Sequence, residues 1–497
     1  MRQIDIFIFV AYLVGIVIFG VSFYRKGRTS DDYSTGSGTI PSWVIGLSIF
    51  ATFVSSISYM ALPGIAFLNN WNAYVFSLSI PIAILLAIKF FVPLYRSVGS
   101  PSAYTYLEQR FGSWARIYVA SFWMLTQVMR IATILYLLAL PMYVLLGWDM
   151  RLIIMVTGVS VLIYSVMGGI KAVVWTDAIQ AIILIVGAIA TIAIIMFSLP
   201  EGVSQFIEVG REHNKFSLGS FGTSLTESTF WVVLIYGLFI NVQNYGIDQN
   251  FVQRYMSARS DKEAISSALG GGLLYVPVSL LFFIIGTGLY VYYQVYSDAL
   301  PLKFQEDGMS DSVFPYFIIN VLPAGLTGLL IASIFAAGMS TISTSLNSTA
   351  TVIYNDYYKR IKKDKINKAE SVRVLYISST IISIFGIIIS FYLIRVESAL
   401  DVWWNLSGIF SGGMLGLFLL GYFSRKVKNL SAMVAVGLGL LVIIYMSLSP
   451  IYFTGDLENL KNPLHSYMTI VVGTMVIFFS GLLITQFVNK IFKKNGK

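Results

Sequence analysis

Residues 331–349 read IASIFAAGMSTISTSLNST. The stretch opens as an oily helix and, from Ser340 onward, becomes dense with hydroxyls while still lying inside an apolar segment. Lipid offers these groups no hydrogen bonds, so polar atoms at membrane depth must face protein or a polar cavity. The surroundings leave no doubt about the solvent. The chain is 57% hydrophobic and 11% charged, where a soluble domain carries roughly 25% charged residues.

Apolar spans long enough to cross about 30 Å of hydrocarbon recur along the whole chain. Thirteen are expected, at 4–23, 42–67, 73–95, 116–146, 152–168, 175–199, 229–250, 264–295, 313–354, 372–395, 400–423, 430–449 and 465–488. The reading is an all-α integral membrane protein, with 1–497 a single membrane domain. The first span is not expected to be a cleaved signal peptide, because its basic flank (Arg25, Lys26, Arg28) follows the apolar run. The absence of cysteine removes disulfides and thiolate metal sites. The net charge of +9 need not mean nucleic acid, since basic residues in such a chain set topology.

With the N-terminus outside, the inner loops hold Arg25/Lys26/Arg28, Arg96/Arg110/Arg116, Lys171, Arg254/Arg259/Lys262, the cluster from Lys359 to Arg373, Arg425/Lys426/Lys428 and the tail lysines from Lys490. Inner exceeds outer by about three to one, which predicts N-outside and C-inside. Two basic residues remain within spans. Lys89 is near an inner end and can snorkel. Arg130, in QVMRIATI, sits midway along 116–146, where a charge costs on the order of 2.5–3.5 kcal/mol on insertion scales. It is either half of a structural ion pair or a fixed cation awaiting an anionic ligand.

Two spans look interrupted. GLSIFATFVSSISYMALPG (46–64) places Thr52, Ser55, Ser56 and Ser58 mid-span, and GLFINVQNYGIDQN (237–250) contains Asn241, Gln243, Asn244 and Gly246. Paired interruptions at corresponding positions in two halves point to a transporter binding site, although small-residue helix packing explains many such positions singly. At 100° per residue Ala337, Ser340, Thr341, Ser343 and Thr344 share one helix stripe. A hard monovalent cation suits such oxygens. Asp177, in VVWTDAIQ, could add a carboxylate; it could equally serve a helix N-terminus.

The runs PSAYTYLEQRF (101–111), VVWTDAIQ (173–180), DQNFVQRY (248–255) and ASIFAAGMSTISTSLNS (332–348), in this order along the chain, resemble the sodium:solute symporter family, and the likeness covers nearly the whole chain. It implies the leucine-transporter (LeuT) fold with two inverted five-helix repeats, at 42–199 and 229–423. An extra N-terminal helix and loop (1–41) would precede them, and 430–497 would add two C-terminal helices and a basic tail. It also implies one sodium site from the carbonyls of Ala51, Val54 and Ala337 with the hydroxyls of Ser340 and Thr341. A second would use Asp177, Ser340, Ser343 and Thr344, giving two sodium ions per substrate.

The chain most resembles the bacterial sialic acid symporters within that family, which implies a carboxylate clamp of Arg130, Ser55 and Ser58. Guanidinium suits it, because its planar fork gives a bidentate, charge-assisted contact. Phe53, Ala73 and Ser77 depart from that branch, where threonine, phenylalanine and glutamine stand, so selectivity among sialic acids stays open. The expected function is sodium-coupled import of a sialic acid by alternating access across a bacterial inner membrane, by a monomer that binds no nucleic acid. Another small organic anion, or a neutral sugar if Arg130 pairs structurally, is the alternative cargo. A channel would share the hydroxyl-lined path. An enzyme is not expected: His213 and His465, the two histidines, fall in predicted outer loops, and no nucleotide or nucleophile motif is present.

Overall fold

The computed structural model describes residues 2–301, 312–362, 366–395 and 413–495. Among these residues the chain is helical, with no strand beyond an isolated parallel bridge between Ile40 and Ala258. Its principal helices are α1 (Gln3–Val21), α2 (Ser42–Phe53), α3 (Ser56–Leu68), α4 (Trp71–Val98), α5 (Thr105–Phe111), α6 (Ser113–Leu146), α7 (Met150–Ser198), α8 (Val203–Glu212), α9 (Phe230–Ile247), α10 (Gln249–Ser257) and α11 (Asp261–Val295). They continue with α12 (Val313–Asn320), α13 (Leu326–Ile361), α14 (Lys368–Leu393), α15 (Gly413–Phe423), α16 (Asn429–Tyr452) and α17 (Met468–Asn495).

Ten of these helices are long and apolar enough to cross a membrane, or eleven with the bent pair α2–α3 counted as one. The expected thirteen differ for two identifiable reasons. Spans 152–168 and 175–199 follow one another without a gap in α7, so they count once among these helices although a kink separates them. Gly169 interrupts α7 at φ 62°, ψ −160°, a conformation that suits a residue without Cβ. A Cβ there would also come within 2.9 Å of Arg28 Nη1. Most of the eleventh expected span, 400–412, lies outside the described residues.

The position of α13 answers the question of the hydroxyls. Its most apolar window is 89% buried, against 22% for α1, so α13 is the central helix and α1 a peripheral one. It packs against α7, α1, α6, α14 and both halves of the broken pair. Ser340, Thr341, Ser343, Thr344, Ser345, Ser348 and Thr349 are all buried. They face neighbouring helices rather than lipid, which is the only membrane setting where such density is tolerated. Close approach holds the half-helix α3 in place: a Cβ on Gly286 of α11 would lie 2.2 Å from the Pro63 carbonyl.

Candidate functional site

The first break falls where the sequence predicted. Helix α2 ends at Phe53, Val54 and Ser55 are extended (ψ 120° and 173°), and α3 begins at Ser56. The axes bend by 54°. The Ser55 hydroxyl accepts from Ser58 N at 3.5 Å, the geometry of an N-cap that stops α2 from propagating into α3. Carbonyls at the end of α2 are thereby released from helical bonding.

Helix α13 presents its hydroxyls to those carbonyls. Ser340 Oγ donates to Ala51 O at 3.2 Å and Ala337 O at 3.0 Å. Thr341 Oγ1 donates to Val54 O at 3.5 Å and Ala337 O at 3.2 Å. All five atoms predicted for the first sodium site therefore converge in one buried spot. Carbonyl and hydroxyl oxygens make this a neutral donor set, of the kind a hard monovalent cation takes.

The second predicted group is brought together with a partner that sequence reasoning misplaced. Asp177 and Thr344 meet at 3.5 Å, and Ser343 Oγ turns to Ser340 O at 3.0 Å. Arg254, expected among the inner-loop cations, is instead wholly buried and pairs with Asp177 Oδ2 at 2.7 Å. Its guanidinium also donates to Ser48 Oγ (2.7 Å), Asn250 O (2.7 Å) and Thr344 Oγ1 (2.6 Å). Ser48 Oγ donates in turn to Asp177 Oδ2 at 2.6 Å. The other carboxylate oxygen, Oδ1, is buried without a hydrogen-bond partner among the described residues. One face of the Asp177 carboxylate is thus neutralised by arginine, while the other is unsatisfied and suited to a cation.

The second break lies later than the polar run that suggested it. Helix α9 continues through Asn241, Gln243, Asn244 and Gly246 to Ile247, and the chain breaks at Asp248 (φ −72°, ψ 127°). Asp248 Oδ1 accepts from Asn250 N at 2.7 Å and caps α10. Two tyrosines take up carbonyls freed at the end of α9: Tyr95 Oη bonds Gly246 O and Tyr255 Oη bonds Tyr245 O, both at 2.8 Å. Asn241 stays helical because its amide donates to Ser79 Oγ at 2.9 Å across to α4. Asp177 is not the only buried carboxylate among the described residues. Asp5 and Asp356 are buried as well and Asp248 is half-buried, Asp5 Oδ1 accepting from Gly325 N and Gly328 N at the start of α13.

Arg130 reaches the first break. Its Nη2 donates to Thr52 O at 3.2 Å, and among the described residues no carboxylate forms an ion pair with it within 4 Å. Ser55 is buried and Ser58 half-buried at the N-terminal end of α3, where the helix dipole favours an anion. Half-buried Phe53 packs against Tyr275 (4.4 Å), Tyr245 (5.4 Å), Phe251 (6.3 Å) and Phe76 (6.4 Å). The last contact draws in the start of α4, which carries half-buried Ala73 and buried Ser77.

The sequence profile of the Sodium:solute symporter family matches residues 33–439. The chain belongs to the sodium:solute symporter family. It is a transporter, not an enzyme. It is 34% identical over 437 residues to the sodium/sialic acid symporter SiaT of Proteus mirabilis, covering 87% of each chain. To the sodium/sialic acid symporter NanT of Aliivibrio fischeri it is 33% identical, over 92% of this chain and 91% of that one. Its structure matches a solved substrate-bound outward-open state of a Na+-coupled sialic acid symporter, described as revealing a novel Na+ site, with a TM-score of 0.90, 30% identity and 98% coverage of both chains.

Proposed function

We propose that this family member is a sodium-coupled importer of sialic acid. What supports the reading is the meeting, at one unwound helix, of buried carbonyl and hydroxyl oxygens of α2 and α13 with the Arg130 guanidinium. Sodium held by Ala51 O, Val54 O, Ala337 O, Ser340 Oγ and Thr341 Oγ1 would tie α2–α3 to α13. That tie would fix the start of α3, where Ser55, Ser58 and Arg130 receive the sugar's carboxylate. Phe53, Ala73 and Ser77 would line the remainder of the pocket and set which sialic acids fit.

The full architecture we infer is thirteen spans in the LeuT fold, with inverted repeats at 42–199 and 229–423. Breaks after Phe53 and after Ile247 occupy the first span of each repeat, which supports that division. The basic-residue asymmetry supports an inner-membrane protein with its N-terminus outside and C-terminus in the cytoplasm. A monomer suffices, since both ion sites and the clamp come from one chain.

A second sodium at Asp177, Ser340, Ser343 and Thr344 is supported by the unsatisfied Asp177 Oδ1. Two sodium ions carried with a monoanion leave one net positive charge moving inward. Each such charge is driven by about 2.3 kcal/mol per 100 mV, so transport would be electrogenic. In alternating access, sodium orders the pocket from outside, substrate closes the outer path, and the core rocks against its scaffold.

The test is equilibrium binding of N-acetylneuraminate to the purified protein in sodium and in choline. Binding is expected in sodium alone, and Arg130→Lys, which keeps the charge but loses the fork, should weaken it by at least about tenfold. Binding indifferent to sodium, or unaffected by Arg130→Lys, would overturn the reading.

A further inference from the structure

The connection between α1 and α2, residues 29–40, is built as a strap across the part of α13 farthest from its N-terminus. It opens with a short helix, Ser30–Ser34, capped by Thr29 and Asp32. It closes on the bridge between Ile40 and Ala258, just past the end of α10. The Tyr33 hydroxyl lies 2.8 Å from Ser379 Oγ of α14, and Tyr33 shares a small buried cluster with Ala350 and Tyr354 of α13. The basic residues that precede the strap put it on the face that the proposed topology makes cytoplasmic.

Gln253 sits where the strap, α10 and α13 meet. Its Nε2 donates to Ser34 O of the strap at 2.5 Å and to Asn347 Oδ1 at 2.7 Å, with Thr351 Oγ1 at 3.1 Å. Its Oε1 accepts from Ser348 Oγ at 2.7 Å, and Thr351 Oγ1 lies 3.2 Å from Ser34 Oγ. Thr344, Asn347, Ser348 and Thr351 follow the i, i+3, i+4, i+7 spacing of one helix stripe. Arg254, the next residue of α10, meets that stripe at Thr344, while Gln253 meets it one to two turns farther on. The stripe that begins at a candidate ion ligand therefore ends under the strap.

Ser34, Gln253, Asn347, Ser348 and Thr351 are all buried, so the strap closes this end of the stripe. The closure is polar. An apolar plug is costly to wet, whereas hydroxyl and amide groups exchange protein partners for water at little net cost. The Gln253 amide has two hydrogens for three acceptors, so even the closed form leaves one contact weak. The strap also runs directly into α2, which brings Ala51 O and Val54 O to α13. A movement that parts this end of α2 from α13 pulls on the contact between Ser34 and Gln253.

We propose that Gln253 is the pin of an inner latch. It holds the strap on α13 while the ion ligands are closed to the cytoplasm, and it releases Ser34 when they open inward. The proposal rests on the alternating-access reading given above. Gln253 touches neither the candidate ion ligands nor the carboxylate clamp, so it is a positioning residue.

The chain has no cysteine, so a single one introduced as Ala350→Cys, at a buried position in the Tyr33 cluster, reports on the strap. Its labelling by a water-soluble maleimide, in the full-length protein in detergent, should be slow in sodium and faster in choline. Gln253→Leu should raise the rate in sodium by about fivefold or more. Thr351→Val keeps the shape, removes one acceptor and should raise it by a smaller factor, which keeps the test decisive should Gln253→Leu fail to fold. The converse experiment ties the latch shut. In Ser34→Cys/Thr351→Cys, which replaces oxygens 3.2 Å apart, oxidation to a disulfide should stop uptake of N-acetylneuraminate into proteoliposomes, and reduction should restore it. Sodium-dependent binding in detergent should persist in the oxidised form. Labelling needs no substrate, so a parent protein that does not bind N-acetylneuraminate would refute the functional reading while the labelling still judges the latch. Labelling rates unchanged in the variants that fold, or uptake undiminished by the disulfide, would overturn the proposal.

Discussion

Replacing Arg254 by glutamine removes the positive member of a pair in which both side chains are fully buried. The guanidinium supplies four hydrogen bonds of 2.6–2.7 Å, to Asp177 Oδ2, Ser48 Oγ, Asn250 O and Thr344 Oγ1. Breaking a buried pair from one side leaves an uncompensated charge and costs about 3–5 kcal/mol. Arg254→Gln should therefore lower thermal stability strongly. Sodium should then recover much of the loss, because Asp177 would retain both oxygens beside Thr344 with no arginine to neutralise it. A ligand at a hundredfold its Kd stabilises by about 2.7 kcal/mol, which is comparable to the deficit. The double variant Asp177→Asn/Arg254→Gln removes both charges, so it should be less unstable than the single losses added together and should show no extra response to sodium. Thermal unfolding of the detergent-solubilised protein, followed by tryptophan fluorescence in sodium and in choline, reads all three. If Arg254→Gln unfolded with the parent protein and gained no more from sodium than the parent does, the assignment of this pair to a cation site would fail.

Asp177→Ala should reduce the Hill coefficient for sodium in substrate uptake, and an unchanged steep dependence would remove the second site. Thr341→Ser keeps the oxygen that faces Val54 O and should retain sodium affinity. Thr341→Val removes that oxygen and should weaken affinity about tenfold or more, as read from sodium titrations of substrate binding. Lys215, between α8 and α9, donates to the carbonyls of Phe67, Leu68 and Asn69 at the end of α3 and sits 3.7 Å over the Tyr290 ring. Burial pushes its pKa down from 10.5 to about 8. An ammonium has three donors and an amine two, so one of the three contacts is lost as pH rises through about 8. Uptake should fall there in the parent protein and lack this component in Lys215→Met, with Glu212, His213 and Tyr290 as the neighbouring titratable groups. The fold should not fail with it. The unfolded chain holds the proton to higher pH than the folded one, so this group's contribution to stability rises between about pH 8 and 10.5.

Much of the site could be read from residues because polar atoms in an apolar span must have partners. Ser340 and Thr341 called for partners, which are the carbonyls of Ala51, Val54 and Ala337; Ser55 and Ser58 marked the first break; and the depth of Arg130 marked a charge that needs a partner. What escaped was long-range. Arg254 looks like one more loop cation until α10 folds it against Asp177, 77 residues away in the chain. The polar run 241–246 looked like the interruption itself, yet the Asn241 amide donates sideways to Ser79 and the break comes at the capping carboxylate of Asp248. Spans 152–168 and 175–199 looked separate, and the non-helical backbone of Gly169 does divide them. Local pattern identifies which groups need partners, and tertiary packing chooses the partners.

The most direct test is uptake of radiolabelled N-acetylneuraminate into proteoliposomes, comparing an inward sodium gradient with an equal potassium gradient. Sodium should drive accumulation above equilibrium, potassium should not, and Ser340→Ala should abolish the difference. Equal uptake under both gradients, or sodium-driven accumulation undiminished in Ser340→Ala, would contradict the account.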